Sequence, residues 1–355
     1  MTLQPFVKLA DPVTYRPCEW NLCTDPAGRD YWVALFKRHV KMILDLGVAC
    51  STAAPGAGDR AARCAAELHA VLDAFAADPT RHDCVTILTL DAWRDGLLRK
   101  YGFEDAFADL KHRENAATLP LLPAVCRDLD ALKGEEQLLA VIEGVFAGNI
   151  FDMGSEATAH QFLSGNTIDF HQTRAKLPQR PWRIDQYDAF AQRLFSRERS
   201  ERESAVYRKA VFFIDNAGSD FLLGALPMMR YLAQRGTHVI LAANERPALN
   251  DMTIHDVRTW WPRILATEPS LTHLRITPVS TGTGEPLIDL AAVSPALNDA
   301  AADADLVILE GMGRGVESNL NAQFSCDALN LAMLKDLAVA QRVGGHLYDV
   351  VCRFR

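Results

Sequence analysis

The sequence predicts an α/β protein, with three α/β/α layers around a mainly parallel sheet and an N-terminal helical domain before them. After about residue 205, short apolar runs alternate with helical stretches, as in chains built from strand, helix, strand units. Most of these runs are continuously apolar rather than apolar at every second position, which is typical of strands buried on both faces. The five runs are AVFFID, HVILAAN, LRITPVS, DLVILEG and GHLYDVVCRF.

The first part of the chain has a different apolar spacing. Between about residues 28 and 165, apolar residues recur at the intervals of amphipathic helices, as in YWVALFKRHVKMILDLGVA. We therefore divide the chain into a mainly helical region, residues 1–204, and an α/β region, residues 205–355.

Composition and charge argue against several classes of protein. The chain has 355 residues and a formal charge of −8, so it lacks the basic character that non-specific binding to nucleic acid or to an anionic membrane requires. Its eight cysteines contain no Cys-x-x-Cys pair, which is typical of reduced thiols rather than of disulfides or a zinc site. No signal-peptide core and no apolar stretch of membrane-spanning length is evident, and we expect a cytoplasmic protein.

Three polar loops follow predicted strands. Residues 215–218 follow AVFFI, residues 244–251 follow HVILAA, and residues 310–315 follow DLVIL. In open parallel sheets, ligands bind at the carboxyl ends of the strands, so these loops form the candidate site.

The first two loops carry candidate metal ligands. Asp215, Asn216 and Asp251 offer hard oxygen donors of the kind that Mg²⁺ or Mn²⁺ binds. The alternative is that Asp215 and Asn216 cap one helix while Asn250 and Asp251 cap the next. Because both pairs follow strands that are expected to be neighbours, metal binding is favoured over capping.

The third loop, EGMGRG, has the composition of a phosphate-binding turn. Closely spaced glycines expose backbone N–H groups, and Arg314, next to Gly313, adds a charge-assisted donor. A tight turn with a solvated Arg314 is the alternative. The glycine spacing does not match a dinucleotide-binding motif, and no P-loop is present. Lys335 ends a run with helical spacing and, taken alone, is expected to be a solvated charge.

Long segments of the sequence resemble the metal-dependent damage-control phosphatase family, in the subfamily with a Glu-Gly-Met-Gly-Arg motif. The resemblance is strong over residues 80–355 and loose before them. It implies a phosphatase of small phosphorylated metabolites, with 4′-phosphopantetheine or its oxidised or damaged forms as substrates. The segments are LRKYGFEDAFADLKHRENAATLPLLP, VFAGNIFDMGSEA, DNAGSDFLLGALPMMRYLAQRGTHVILAANERPALNDMT, VILEGMGRGVESNLNAQFSCDALNLAMLKD and GGHLYDVVCRFR.

The resemblance also implies roles for individual residues. A divalent metal ion (Mg²⁺, Mn²⁺, Co²⁺ or Ni²⁺) is bound by Asp215, Asn216 and Asp251, and Lys335 acts with the two aspartates in catalysis by facing the phosphate. Further residues are candidates for binding the phosphate or the rest of the substrate: Gly313, Arg314, Arg113, Glu114, Asn115, Asn149 and Asp152. For Asn149 and Asp152, helix capping is an equal alternative.

We expect the sheet loops to carry the chemistry and the helical region to carry specificity, because a long, amide-rich substrate needs a cleft and clefts form where domains meet. The expected partner is a small phosphate ester, with no nucleic acid and no membrane, and a homodimer is left open. The alternatives are a phosphatase of sugar phosphates, a non-catalytic nucleotide- or metabolite-binding protein, and a methyltransferase-like enzyme that uses the EGMGRG glycines. The sequence does not distinguish a water nucleophile from a carboxylate.

Overall fold

The structure, a computed structural model, describes residues 2–50, 54–150, 170–195 and 205–355. Within these ranges the strands form a seven-stranded sheet in the order β1-β7-β6-β5-β2-β3-β4. Neighbouring strands are parallel, except β6 and β7. The strands are β1 Ile184–Asp185, β2 Lys209–Phe213, β3 His238–Ala243, β4 Ile276–Ser280, β5 Leu306–Glu310, β6 Asp327–Met333 and β7 Val350–Phe354.

The described helices fall into a set before β1 and a set between the later strands. The first set is α1 Pro26–Ala49, α2 Ala57–Ala77, α3 Ile87–Lys100, α4 Ala108–Thr118, α5 Leu122–Ala131, α6 Gly134–Asn149 and α7 Phe170–Ala175. The second set is α8 Tyr187–Phe195, α9 Leu226–Gln234, α10 Ile254–Thr267, α11 Pro295–Ala301 and α12 Leu337–Arg342. Two π-helical turns, Asp220–Ala225 and Gly313–Ser318, follow β2 and β5.

The central strands are covered on both faces, as their apolar runs predict. Phe212 and Leu241 pack into a core that includes side chains of α5, α6, α9 and α10. Their neighbours Val211 and Phe213 pack on the opposite face, against α11 and the N-terminal segment around Phe6. Successive residues of a strand point to opposite faces of the sheet, so each strand contributes to both cores. The predicted α/β/α layering is confirmed.

Helices α1 to α3 form a third core that reaches the loops after β5 and β6. Asp25 caps α1 by accepting a hydrogen bond from the Gly28 N–H, and proline occupies the first helical turn. The apolar face of this helix joins a cluster that includes Met312 and Val316 after β5 and Leu334 after β6. The helical region therefore lies beside the carboxyl ends of the central strands.

The boundary between the helical and α/β regions is less sharp than the change in apolar spacing. Strand β1 lies before residue 205 but pairs with β7, with Ile184 opposite Val351. Helix α6 also packs into the core of the sheet. The division at residue 204 stays a proposal about where helices predominate.

The run before Lys335 was wrongly predicted to be helical. Residues Asp327–Met333 form β6, which is buried between β5 and β7. Alanine, leucine and methionine favour helices in isolation, but hydrogen bonding to strands on both sides and burial on both faces override that preference. Lys335 therefore follows the carboxyl end of a strand.

Two sequence-based expectations concern the whole chain. All eight cysteines are free thiols. Among the helices of the described ranges, none combines the length and the apolar character needed to cross a membrane.

Candidate active site

The three predicted loops meet at one edge of the sheet. Strand β2 lies between β5 and β3, and Phe213 pairs with Leu309 on one side and with Ala242 on the other. Asn216 and Asp251 are joined by a backbone bridge. The expectation that the strands AVFFI and HVILAA are neighbours is therefore correct, and DLVIL lies on the other side of AVFFI.

A buried cluster of three carboxylates lies at the centre of this edge. One oxygen each from Asp215, Asp220 and Glu310 fall within 4.8 Å of one another. The Asn149 amide, at the end of α6, donates to all three, at 2.9 Å to Asp220 Oδ2, 3.1 Å to Glu310 Oε1 and 3.3 Å to Asp215 Oδ2. The Asn216 amide donates to Asp215 and Asp220 at 2.9 Å each. Two amides thus organise the three acids.

The cluster has the properties of a divalent metal site. Burial, followed by the charges of Asp220 and Asp215, raises the pKa of Glu310 well above its usual value. Asp220 Oδ1 is buried and lacks a hydrogen-bond partner within the described ranges. A cation would offset the repulsion and satisfy that oxygen, and carboxylates are the ligands that Mg²⁺ and Mn²⁺ prefer. These residues could hold a metal ion, and two of them, Asp220 and Glu310, were missed as ligands from the sequence.

The three metal ligands predicted from the sequence, Asp215, Asn216 and Asp251, lie beside the carboxylate cluster but do not form a ligand set of their own. Arg314 lies between the two aspartates, with Nη2 2.7 Å from Asp251 Oδ2 and Nη1 bonded to Asp215 Oδ1. Asn244 also donates to Asp251 Oδ2, at 3.0 Å. Asp215 belongs to both sets, whereas Asp251 is paired with the guanidinium.

Arg314 is buried with 1% exposure, so the alternative of a solvated arginine in a turn is wrong. Burial alone would lower its pKa, but the charges of Asp251 and Asp215 outweigh burial and raise the pKa. The side chain is a fixed cation beside the acidic cluster. A role in binding phosphate directly stays a proposal.

The structure does not support the capping alternative for the first two loops. Helix α10 is capped by Thr253 and Asp256, which form a reciprocal capping box. Asp251 faces Arg314 instead, and Asp215 and Asn216 are engaged in the acidic cluster.

Close packing explains a glycine of the EGMGRG loop. Gly311 has φ of +96°, and a Cβ there would lie 2.9 Å from Asp215 Cβ and closer still to its carboxylate. Gly313 lines the cleft described below. The loop therefore brings its backbone against Asp215 and orients Arg314, in addition to any part it plays with phosphate.

Lys335 is buried with 1% exposure, so the expectation of a solvated charge is wrong. Its Nζ donates to the Asn149 carbonyl oxygen at 2.8 Å. Lys335 therefore contacts the residue whose side-chain amide bonds to the three carboxylates. The role in facing the phosphate that the family resemblance implies stays a proposal.

The buried side chains of helix α4 support the loops that follow β2 and β3. Asn115 is buried, and its Oδ1 accepts from the Gly218 N–H at 2.8 Å. Lys111 Nζ lies 3.5 Å from the Asp251 carbonyl oxygen and forms a 2.7 Å ion pair with Asp256. These contacts fix the loops that follow β2 and β3.

The other pocket residues predicted from the helical region have different positions. Arg113 is exposed and lines a separate cavity with Cys50 and Asp109. Glu114 is half-buried next to Gly218. Asn149 belongs to the acidic cluster, and Asp152 lies outside the described residues. The expectation that Asn115 and Asn149 line a substrate cleft is not supported, because both are engaged with the catalytic loops.

A small cleft of about 90 Å³ opens at Asp215, Asn216 and Asp251. Its opposite wall comes from α1 and α3, a contribution that the sequence did not identify because an amphipathic pattern does not name the partner of the apolar face. The wall residues are Trp32, Leu35, Phe36, His39, Ile87, Asp91 and Arg94. Ile87 and Glu317 also line a larger cavity of about 950 Å³.

Known proteins share this architecture. A crystal structure of a DUF89 family protein from Pyrococcus horikoshii superimposes with a TM-score of 0.64 at 16% identity, over 91% of this chain and 96% of that one. At this level of identity the likeness concerns the fold, and it confirms the predicted fold class.

Sequence comparison gives the family. The damage-control phosphatase ARMT1-like domain matches residues 52–351. A damage-control phosphatase from Arabidopsis thaliana is 38% identical over 308 residues, 84% of this chain and 81% of that protein. Two longer relatives are a 4′-phosphopantetheine phosphatase from Mus musculus, 30% identical over 399 residues, 98% of this chain and 48% of that protein, and a protein named pantothenate kinase 2 from Arabidopsis thaliana, 36% identical over 383 residues, 99% of this chain and 42% of that protein.

The chain therefore spans less than half the length of these two relatives. The family expected from the sequence motifs is confirmed, and the chain belongs to the damage-control phosphatase ARMT1-like domain family.

Proposed function

We propose that this chain is a metal-dependent phosphatase of small phosphate monoesters. The observation that carries the proposal is the buried cluster of Asp215, Asp220 and Glu310 at the carboxyl ends of adjacent parallel strands. Three carboxylates alone would repel a phosphate, whereas a cation that they bind would attract it. Family membership and relatives named as phosphatases support the same activity.

Asp215 is proposed to bind the metal ion, because it belongs both to the carboxylate cluster and to the set predicted from the sequence. The other proposed ligands are Asp220 and Glu310 from the cluster, and Asn216 and Asp251 from the predicted set. A divalent ion bound there supplies charge neutralisation and orientation of the phosphate and nucleophile. Mg²⁺, Mn²⁺, Co²⁺ and Ni²⁺ are the candidates.

Three side chains of the protein have proposed roles around that ion. Arg314 holds Asp215 and Asp251 in place through its paired contacts. Asn149 orients the carboxylates, and it accepts a hydrogen bond from Lys335 through its backbone oxygen. Lys335 is the cation proposed to stabilise the charge that develops on the phosphoryl oxygens.

The proposed substrate is 4′-phosphopantetheine or a damaged form of it, on the basis of the name of the mouse relative. Sugar phosphates are the alternative substrates. A methyltransferase-like use of the EGMGRG glycines is disfavoured, because Gly311 packs against a carboxylate. A cytoplasmic location, supported by the free thiols, and a homodimer also remain proposals.

The proposal is tested by phosphate release from p-nitrophenyl phosphate in the presence of each of the four ions, beside a chelated control. We expect release that depends on the ion and is lost in Asp215→Asn. Release that persists at full rate in chelator, or no release with any ion, would refute a metal-dependent phosphatase. A binding protein without turnover would give the second result while still binding 4′-phosphopantetheine.

A further inference from the structure

The wall of the cleft opposite the carboxylates contains polar atoms without partners. Trp32 Nε1, Asp91 Oδ2 and Arg94 Nη2 are buried and form no hydrogen bond within the described ranges. All three side chains line the cleft that contains Asp215 and Asp251. Buried polar atoms normally have partners, because leaving one unpaired costs roughly 1–3 kcal/mol. Three such atoms in one wall indicate a position where a ligand supplies the missing bonds.

Neighbouring contacts fix these three side chains. Arg94 forms ion pairs with Asp91 at 2.7 Å and with Asp95 at 2.8 Å, and its guanidinium lies 5.3 Å from the centre of the Phe36 ring. Trp32 packs edge-on against Phe36, with ring centres 6.3 Å apart. The exposed fractions of Trp32, Asp91 and Arg94 are 4%, 3% and 2%. A rigid, buried wall of this kind is suited to selecting a ligand by its hydrogen-bonding groups.

We propose that Trp32, Asp91 and Arg94 form a recognition site for the alcohol part of the substrate, next to its phosphate. The inference rests on the proposed phosphatase function and specifies which phosphate esters the site selects. Trp32 and Arg94 donate hydrogen bonds to a carbonyl or hydroxyl oxygen. Asp91 Oδ2 accepts a bond from a hydroxyl group.

The chemistry of the wall favours an alcohol with a hydroxyl and a carbonyl close to the ester. In 4′-phosphopantetheine, a branched carbon separates the phosphate ester from a hydroxyl and an amide carbonyl. The apolar side chains of Phe36 and Leu287, which line the same cleft, suit the branched carbon. A cleft of about 90 Å³ is below the roughly 300–1,000 Å³ of ordinary ligand pockets. It therefore accommodates the phosphate end of a long substrate, and the adjoining larger cavity offers room for the rest.

The test compares two substrates that share the branched carbon. 4′-Phosphopantetheine carries the hydroxyl and the amide, whereas neopentyl phosphate has neither. The variant Trp32→Phe removes one N–H donor and keeps an aromatic ring, and Asp91→Asn keeps the size of the side chain. Trp260→Phe is the matched control, because Trp260 is also a buried helical tryptophan but does not line the cleft.

The measured quantity is the ratio of kcat/KM for 4′-phosphopantetheine to kcat/KM for neopentyl phosphate. We expect this ratio to fall roughly 3- to 10-fold in Trp32→Phe, the scale of one neutral hydrogen bond, and to fall at least as much in Asp91→Asn. Trp260→Phe should keep the wild-type ratio. A wild-type ratio in both cleft variants would overturn the inference while leaving the phosphatase proposal intact.

A second measurement separates this inference from the phosphatase proposal. Calorimetric binding of pantetheine, the dephosphorylated alcohol, requires neither turnover nor a bound cation to attract a phosphate. Weaker binding by Trp32→Phe than by wild type, with no matching change in Trp260→Phe, would support the recognition site even if the protein released no phosphate. Equal binding by the two proteins, or no binding by either, would overturn it.

Discussion

Replacing Gly311 by alanine should disable the catalytic centre without touching an ionisable group. The added Cβ would lie 2.9 Å from Asp215 Cβ and closer to the Asp215 carboxylate, so the carboxylate must move. The backbone adds strain, because φ of +96° is unfavourable for any residue with a Cβ. Asp215 joins the acidic cluster and pairs with Arg314, so its displacement disturbs both.

Two costs can be estimated for Gly311→Ala. The backbone strain should lower the free energy of unfolding by about 1–3 kcal/mol. A displacement of the Asp215 carboxylate by roughly 1 Å should lower kcat by on the order of 10²-fold. Urea titration and steady-state phosphate release measure the two effects on the same preparation.

The matched control is Gly96→Ala, in the middle of α3. Among the described residues, a Cβ at Gly96 meets no atom within 4 Å beyond its chain neighbours and the backbone of its own helix, so the change should raise the free energy of unfolding by about 0.5–1 kcal/mol and leave activity unchanged. Near wild-type turnover by Gly311→Ala would refute the close contact between this loop and Asp215.

The remaining predictions concern three buried side chains. Asn149→Ala should lower turnover of 4′-phosphopantetheine and of p-nitrophenyl phosphate by similar factors, because the amide bonds to three carboxylates. A loss of turnover with 4′-phosphopantetheine alone, when both substrates are assayed, would contradict this. Lys335→Met should lower kcat with either substrate by on the order of 10²-fold, and an effect on KM alone would exclude a role in stabilising developing charge. Burial raises the pKa of the Asp91 carboxyl from 3.8 to about 7. The folded protein therefore keeps this proton to higher pH than the unfolded chain does, so the free energy of unfolding decreases as pH rises between these two values. Urea titrations of metal-free Asp91→Asn should show a flatter profile than wild type across that range, and identical profiles would count against the shift.

Much of the sheet could be predicted because its signals are local. The runs around Phe212 and Leu241 are apolar throughout and end in polar residues, which indicates buried parallel strands and their carboxyl ends. The candidate residues Asp215 and Asp251 followed from that topology, and the structure places them near each other through Arg314.

The missed features depend on contacts between distant parts of the chain. Strand β6 consists largely of residues that favour helices and becomes a strand because β5 and β7 flank it. Asp220 and Glu310 lie within the predicted loops, but only the folded structure shows that they face Asp215. Trp32 belongs to the segment YWVALFKRHVKMILDLGVA, whose helical spacing gives no indication that the tryptophan N–H lacks a partner in a cleft.

The central claim is that the carboxylates around Asp215 bind the ion on which phosphate release depends. The most direct test measures bound Mn²⁺ and phosphate release on the same samples while Mn²⁺ is returned to chelator-treated wild type and Glu310→Gln. We expect the rate to rise in parallel with bound metal in wild type, and both to require higher Mn²⁺ concentrations in the variant because one carboxylate of the cluster is lost. Full activity before metal binds, or a Glu310→Gln variant that binds Mn²⁺ and releases phosphate as wild type does, would contradict the account.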